Sequence, residues 1–272
     1  MEQVEANVRA FLLEMGRVGG GVERADAEVV WTVGGSPIGY HNAVVACAVS
    51  SDRADAVIDE WVGELDRRGL AGSWHLSPSM RPTDLVDRLL ARGFEDGGEA
   101  PAMVADLTAT PPLAAVAGLA VEPVHTDADL HAYGDVLAGG FGEGPPEAGW
   151  VTDVFHRIGL GGGTWRHLIG RLEGAPVATA TVFVHPADVA GVYFVCTAPA
   201  ARRLGIGAAI TAAAMREARE RGCTTAVLGS SPMGYGVYRR LGFEEVFRYR
   251  LLERSSGASQ RTTSSSSPVS TS

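Results

Sequence analysis

The sequence has few cysteines, no long apolar run and no basic leader. Its three cysteines, Cys47, Cys196 and Cys223, are far apart, odd in number and without C-x-x-C spacing. A disulfide framework or a zinc site is therefore not expected, and we predict no metal. No run approaches the roughly 18 apolar residues of a membrane span. Glu2 and Glu5 stand where a secretory signal would carry basic residues. We expect a cytoplasmic protein with no membrane partner.

Basic residues are also in the minority. The chain has 23 Lys and Arg against 32 Asp and Glu, a formal net charge of −9. Because nucleic-acid binding depends largely on Lys and Arg that neutralise phosphates, we expect no nucleic-acid partner. The acidity fits a cationic substrate such as an amine, or simply a soluble surface. With 46% apolar residues in 272, the chain can form one large globular domain or two of ordinary size.

Hydrophobic periodicity divides the chain into two halves. In residues 1–110 it predicts helices near 2–15, 54–65 and 82–90, and strands near 28–33, 43–49, 73–76 and 102–107. In residues 119–254 it predicts strands at 119–123, 165–172, 177–184, 189–196, 224–228 and 243–252, and helices near 127–137, 147–158, 205–221 and 232–241.

Four local features complete this outline. Ser51 is a plausible N-cap for the helix over 54–65, and Pro82 is predicted to open the helix that follows. Residues 111–118, which contain Pro111-Pro112, are predicted to be a linker. Residues 139–149 are rich in Gly and Pro and predict a flexible loop. Residues 255–272 are mostly Ser and Thr, so we predict a disordered tail.

One segment between a predicted strand and a long predicted helix has the chemistry of an anion site. Its residues are Arg202, Arg203, Leu204, Gly205, Ile206, Gly207 and Ala208. The two glycines allow the backbone to approach a ligand, while the first helical amides and the two arginines favour a phosphate. The same pattern also fits a tight turn that opens an ordinary helix. Residue 210 is Ile, which disfavours a dinucleotide fingerprint, and the absence of Gly-Lys-Ser/Thr excludes a P-loop.

A second motif, Y-R-R-L-G-F at Tyr238–Phe243, follows one predicted strand later. R-x-x-G-x-G and Y-R-R-L-G-F in this order resemble the GCN5-related N-acetyltransferase (GNAT) superfamily over roughly residues 119–254. The resemblance implies an α+β fold with a mixed, mainly antiparallel sheet flanked by helices. It also implies acetyl-CoA as co-substrate, with its pyrophosphate bound by residues 202–208. Tyr238 would then protonate the leaving thiolate, and Tyr235 is a weaker candidate for that role.

The resemblance also assigns the strand before the first motif to the pantetheine arm. In the family this strand splays from its neighbour, which implies backbone contacts from Val195, Cys196 and Thr197. Many members carry a Glu base on this strand, and here none is present. Other candidates are Glu143, Glu147, Asp153, His156 and His185, each of which could equally be a surface or packing residue. A water chain or an already neutral amine would also serve. An acyl-cysteine at Cys196 is not expected, since no His or Asn signature accompanies it.

The first half resembles a degenerate copy of the second. Residues 89–95 (LLARGFE) echo residues 238–244 (YRRLGFE), and a Ser-Pro pair precedes each segment. No glycine loop occurs in residues 49–59, and Asp52 and Asp55 would repel phosphate. We therefore predict a partial GNAT-like domain at 1–110 that does not bind CoA and instead shapes the acceptor pocket or covers a sheet edge. Chance similarity is the alternative.

The sequence thus predicts an N-acetyltransferase whose catalytic machinery lies in the second half. It would move an acetyl group from acetyl-CoA to a primary amine of a small molecule or peptide, by direct attack in a ternary complex. The alternatives are a non-catalytic acyl-CoA-binding regulatory module and a purely structural interaction protein. Tyr238 favours the enzyme, and the intact glycine loop disfavours the structural protein. We expect a monomer or a homodimer. The acceptor amine and the length of the acyl group stay open.

Overall fold

The computed structural model describes residues 1–109, 115–142, 144–160 and 162–256. The first half contains helices α1 (Glu2–Val18), α2 (Ser51–Arg68) and α3 (Leu85–Leu90), and strands β1 (Val22–Ala25), β2 (Val29–Val33), β3 (Ala43–Cys47), β4 (Gly72–Leu76) and β5 (Glu95–Asp106).

The second half contains the remaining elements of the described chain. Its strands are β6 (Leu119–Pro123), β7 (Trp165–Leu172), β8 (Ala175–Val184), β9 (Val189–Thr197), β10 (Thr225–Gly229) and β11 (Glu244–Arg254). Its helices are α4 (Asp127–Gly140), α5 (Pro145–Ile158), α6 (Ile206–Glu220) and α7 (Pro232–Arg240).

All of these strands join one 11-stranded sheet. Its order is β1-β2-β3-β4-β11-β5-β10-β9-β8-β7-β6, and most pairs are antiparallel; β3 with β4 and β9 with β10 are the parallel ones. The last strands of the two halves are exchanged: β11 lies between β4 and β5, and β5 lies between β11 and β10. The halves therefore share one sheet, and each needs a strand from the other to complete its hydrogen bonding.

The helices cover both faces of the sheet. One core cluster joins α1 of the first half to α4 and α5 of the second through Phe11, Leu137 and Phe155. On the other face, α2 and α3 pack on the first half around Trp61 and Leu89, and α6 and α7 pack on the second. Because α1 contributes to a core shared with the second half, the two halves are joined by packing as well as by strand exchange.

Several predicted boundaries are wrong for identifiable physical reasons. The N-cap of α2 is Ser50 rather than Ser51, and α3 begins at Leu85 rather than at Pro82. β5 begins at Glu95, earlier than predicted, because its first residues pair with β11. The prediction missed this part of the strand since these residues are exposed and show no apolar alternation. Residues 139–149 are largely helical, since α4 continues to Gly140 and α5 starts at Pro145. β1 was not predicted.

Two predicted segments fall partly outside the described residues. Of the predicted linker at 111–118, residues 111–114 are not described, and of the tail at 255–272, residues 257–272 are not described. Among the helices of the described residues, none has both the length and the apolar character that crossing a membrane requires.

Candidate functional site

The site forms where two parallel strands separate. β9 and β10 pair from Val189↔Thr225 to Gly191↔Val227, and β9 then continues to Thr197 without further pairing to β10. At the bend Phe194 has φ 50°, and the register between β8 and β9 shifts. This conformation is unfavourable for a non-glycine residue. Its carbonyl accepts a hydrogen bond from Thr179 Oγ1 at 2.9 Å, which holds the bend in place.

The glycine segment starts the helix that follows this strand. Gly205 is the N-cap of α6 with φ 81°, a left-handed conformation that favours glycine. No side chain caps this end, and the first turn contains no acidic residue. The amides of Ile206, Gly207 and Ala208 have no partner inside the helix, because the first helical N–H groups never do. They and the helix dipole form a cradle that suits a phosphate.

The side chains of the same segment divide into two kinds. Ile206 is buried in the core, whereas Arg203 and Leu204 are exposed. Arg202 is half-buried and donates from Nε to the Thr197 carbonyl at 3.2 Å and from Nη2 to the Gly140 carbonyl at 3.0 Å. Arg202 therefore braces the end of β9 against α4, and Arg203 is the arginine of the motif that is exposed to solvent.

The predicted pantetheine contacts occupy the unpaired part of β9. Val195 is half-buried and lines the cavity described below. Cys196 is buried, its thiol donates to the Val136 carbonyl at 3.5 Å, and burial raises its pKa to about 11. A thiol held protonated inside a core does not act as a nucleophile, in line with the expectation from sequence. Cys196 can therefore contribute through its backbone alone.

Tyr238 lies on α7, beside the end of β10. Its side chain is 8% exposed and packs edge-to-face on Phe243, with ring centroids 5.9 Å apart. A Cβ added at Gly234 would lie 2.7 Å from Tyr238 Cε2, so the glycine makes room for the ring. Burial raises the pKa of Tyr238 to about 12, which keeps the phenol protonated and able to donate. Tyr235, on the same helix, is half-buried.

A cavity of about 600 Å³ opens where β9 leaves β10. Its wall includes Val195 and Tyr238 from the second half, and Tyr40, His41 and His75 from the first. The cavity is therefore shared by both halves, whereas the sequence placed the catalytic machinery in the second half alone. No sequence pattern distinguished these three residues, because only the fold brings them to the end of β9.

Helix α1 of the first half braces the splayed strand. The Phe11 ring stacks on Tyr193 with centroids 3.7 Å apart, and the Tyr193 hydroxyl donates to Asn7 Oδ1 at 2.7 Å. Asn7 Nδ2 donates in turn to the His185 carbonyl at 2.6 Å. Asn7 and Phe11 thus fix the residue that precedes the bend at Phe194.

The structure places one of the candidate bases at the cavity and others on the surface. Glu147 is 5% exposed, lines the cavity and pairs with His41, whose Nε2 lies 2.9 Å from Glu147 Oε1. Asp153 pairs with Arg157 on the surface, His156 faces Asp127, and His185 is exposed. Glu143 lies outside the described residues. Within the described chain, no group of three or more His, Cys, Asp or Glu residues is arranged to hold a metal.

The first half repeats the strand arrangement without the opening. β3 and β4 are parallel and flank α2 as β9 and β10 flank α6. Beyond β3, however, Ala48 bridges Arg81, and the Arg81 amide donates to the Cys47 carbonyl at 2.8 Å. The chain itself therefore occupies the position beside β3. The first turn of α2 also carries Asp52, where α6 has no acidic residue.

Comparison with known proteins agrees with this geometry. The acetyltransferase (GNAT) family model matches residues 141–243. A GCN5-related N-acetyltransferase from Kribbella flavida has 20% identity and a TM-score of 0.73, over 94% of this chain and 97% of that chain. A tandem GNAT protein from the clavulanic acid biosynthesis pathway has 14% identity and a TM-score of 0.56, over 83% and 78% of the two chains.

A third solved structure is a GCN5-related glucosamine N-acetyltransferase region of a fungal multi-domain β-N-acetylglucosaminidase. It has 12% identity and a TM-score of 0.59, over 86% of this chain and 31% of that chain. No curated protein sequence gave a match. At these identities the structural likeness establishes the fold, and the predicted α+β GNAT fold is confirmed. The match of residues 141–243 to the acetyltransferase (GNAT) family model supports acyl transfer in general.

Proposed function

We propose that this protein is an N-acetyltransferase that transfers an acetyl group from acetyl-CoA to a primary amine of a small molecule or peptide. The observation that carries the proposal is the continuity of three features: the cradle at α6, the unpaired end of β9 and the cavity containing Tyr238. A long anionic cofactor with a thioester at its far end needs these features in this order.

The residues present fit acetyl-CoA. The uncapped amides at 206–208, with Arg203 nearby, would hold the pyrophosphate. The unpaired backbone of Val195, Cys196 and Thr197 would pair with the pantetheine arm as a neighbouring strand does. The blocked position beside β3 supports one cofactor site in the chain, in the second half.

The chemistry is direct transfer. A neutral amine nitrogen attacks the thioester carbonyl carbon, a C–N bond forms and the C–S bond breaks. The thiolate takes a proton from the Tyr238 hydroxyl, which the raised pKa keeps available at neutral pH. The proton that the nitrogen loses on becoming an amide restores the phenol. Cys196 takes no part, because its thiol is buried and protonated.

The cavity supports an amine acceptor. The buried carboxyl group of Glu147 and the rings of Tyr40, Tyr193 and Tyr249 line it. A carboxylate and aromatic faces both attract an organic cation, which is how a primary amine arrives at neutral pH.

The test is turnover with acetyl-CoA and a panel of primary amines, measured as released thiol. The panel would contain glucosamine, aryl-ethylamines and lysine peptides, with Gly207→Asp as the variant lacking a competent cradle. Thiol release that depends on the amine and is lost in the variant is the expected result. Calorimetric binding of acetyl-CoA without turnover on any amine would instead favour the non-catalytic acyl-CoA-binding module.

A further inference from the structure

The proposed reaction leaves one proton unaccounted for. An alkylammonium loses its proton near pH ~10, so the acceptor must be deprotonated before it can attack. β9 itself, Val189–Thr197, carries no carboxylate or histidine for this purpose. A protein group that removes this proton would therefore lie on another element at the cavity.

A buried histidine–carboxylate pair lies at that place. His41, at the end of the 3-10 turn Gly39–His41, is 2% exposed, and Glu147, in the first turn of α5, is 5% exposed. His41 Nε2 lies 2.9 Å from Glu147 Oε1, and both residues line the cavity. One partner comes from each half of the chain, so the pair exists only in the folded arrangement of both.

The second ring nitrogen of His41 is unpartnered. A carboxylate accepts, so Nε2–H donates to Glu147 and Nδ1 retains a lone pair. Nδ1 is buried and has no hydrogen-bond partner among the described residues. A buried polar atom without a partner costs ~1–3 kcal/mol, and such atoms are often kept for function.

The ring is held against the bend of the splayed strand. Its centroid lies 4.9 Å from the Trp150 ring and 6.0 Å from the ring of Phe194, the residue with φ 50°. Packing on both rings restricts the orientation of the imidazole. His41 thus lies beside the part of β9 where the thioester is expected.

Two charged residues of β11, Glu253 and Arg254, also line the cavity, whereas its other histidine and its tyrosines stay neutral. Burial and the nearby His41 lower the pKa of His75 on β4 to about 3, and its Nε2 bonds to Ser73 Oγ at 2.9 Å. Burial also raises the pKa of Tyr193 on β9 and of Tyr249 on β11. Tyr40, next to His41 in the chain, also lines the cavity. From α1, the lining residues are the apolar Val8 and Phe11.

We propose that His41 is the general base of the reaction and that Glu147 positions it. This inference rests on the proposed function. The acceptor ammonium gives its proton to His41 Nδ1, and the resulting imidazolium is stabilised by the Glu147 carboxylate through Nε2–H. The neutral amine then attacks the thioester, and the C–S bond breaks as the thiolate takes the Tyr238 proton. The second proton that the nitrogen loses on becoming an amide restores the Tyr238 phenol, so charge and atoms balance.

The test compares pH profiles of kcat/KM for wild type and His41→Gln, with an amine that the panel shows to be acetylated. We expect a loss of about 10²–10⁴-fold near pH 6–7 that shrinks as the pH rises and the amine becomes neutral by itself. His156→Gln, which alters a surface histidine that faces Asp127 rather than the cavity, should keep the wild-type profile.

Glu147→Gln provides a second variant that leaves His41 in place. A neutral amide stabilises the imidazolium less, so the acid limb should move to lower pH as the rate falls. Calorimetric CoA affinity should stay at the wild-type value in all variants. A loss in His41→Gln that is equal at every pH, or an acid limb that Glu147→Gln leaves unmoved, would overturn the assignment. A wild-type protein that acetylates no amine would overturn the proposed function itself, and this inference with it.

Discussion

Tyr238→Phe is the substitution that most directly tests the acid at the site. It deletes the hydroxyl and keeps the ring, which packs on Phe243 at 5.9 Å and is 8% exposed. Phe is smaller by one oxygen, so the contact with Gly234 is preserved and the melting temperature should change little. Removing a positioned general acid costs about 10²–10⁴-fold, or ~2.7–5.4 kcal/mol. We expect kcat and kcat/KM to fall together by that factor, with CoA affinity unchanged.

The pH dependence provides a second measure of the same residue. Burial raises the pKa of Tyr238 to about 12, so the donor form persists below that pH and is lost above it. An ordinary phenol would begin to lose its proton near pH 10. Because Tyr238 stays protonated at that pH, kcat should show no decline from its ionisation up to about pH 10. Tyr235→Phe is the matched control, because Tyr235 lies on the same helix and, unlike Tyr238, is not among the residues that line the cavity. A Tyr238→Phe enzyme within about twofold of wild type, only ~0.4 kcal/mol, would refute the acid role.

Three further outcomes follow from the structure. Gly207→Asp should weaken CoA binding at least about tenfold (~1.4 kcal/mol) by placing a like charge at the phosphate cradle. Gly207→Ala should bind nearly as wild type, since its Cβ would meet Thr197 Oγ1 at an ordinary 3.4 Å; equal calorimetric affinities in both variants would contradict the cradle. Residues 115–256 expressed alone should lack cooperative unfolding by circular dichroism, because β5 is missing between β10 and β11, and co-expression with residues 1–109 should restore it. Cooperative unfolding of the isolated half would refute this dependence. Removal of residues 257–272 should change neither melting temperature nor activity, because Ser and Thr bury little apolar surface; a drop of several degrees would show otherwise.

The proposed cofactor end of the site could be predicted from sequence because its signals are local. Gly205 adopts the left-handed conformation at the start of α6, and the presence of glycine at this position already indicates such a turn. The loop could therefore be predicted without knowledge of any distant contact. Tyr238 was identified in the same way, through a short motif on one helix. The separation of β9 from β10, expected from the family resemblance, is present in the structure.

The acceptor side was not accessible, because its residues are far apart in sequence. His41 and Glu147 meet across 106 positions. Neither residue lies in a periodic pattern or a motif, and Glu147 was one of five equal candidates. Asn7 and Phe11 brace Tyr193 from a helix that periodicity alone marks as ordinary core.

The amino-acid sequence by itself therefore determined most of the helices and strands, the helix-opening glycines and the motifs of the second half that resemble the GNAT family, since these depend on neighbours within a few residues. Only the tertiary structure decided that the two halves form one sheet. The exchange of β5 and β11 depends on which edges are free when the halves meet, and no single strand encodes this. The same exchange places the first half beside the end of β9, and so creates the cavity and the His41–Glu147 pair.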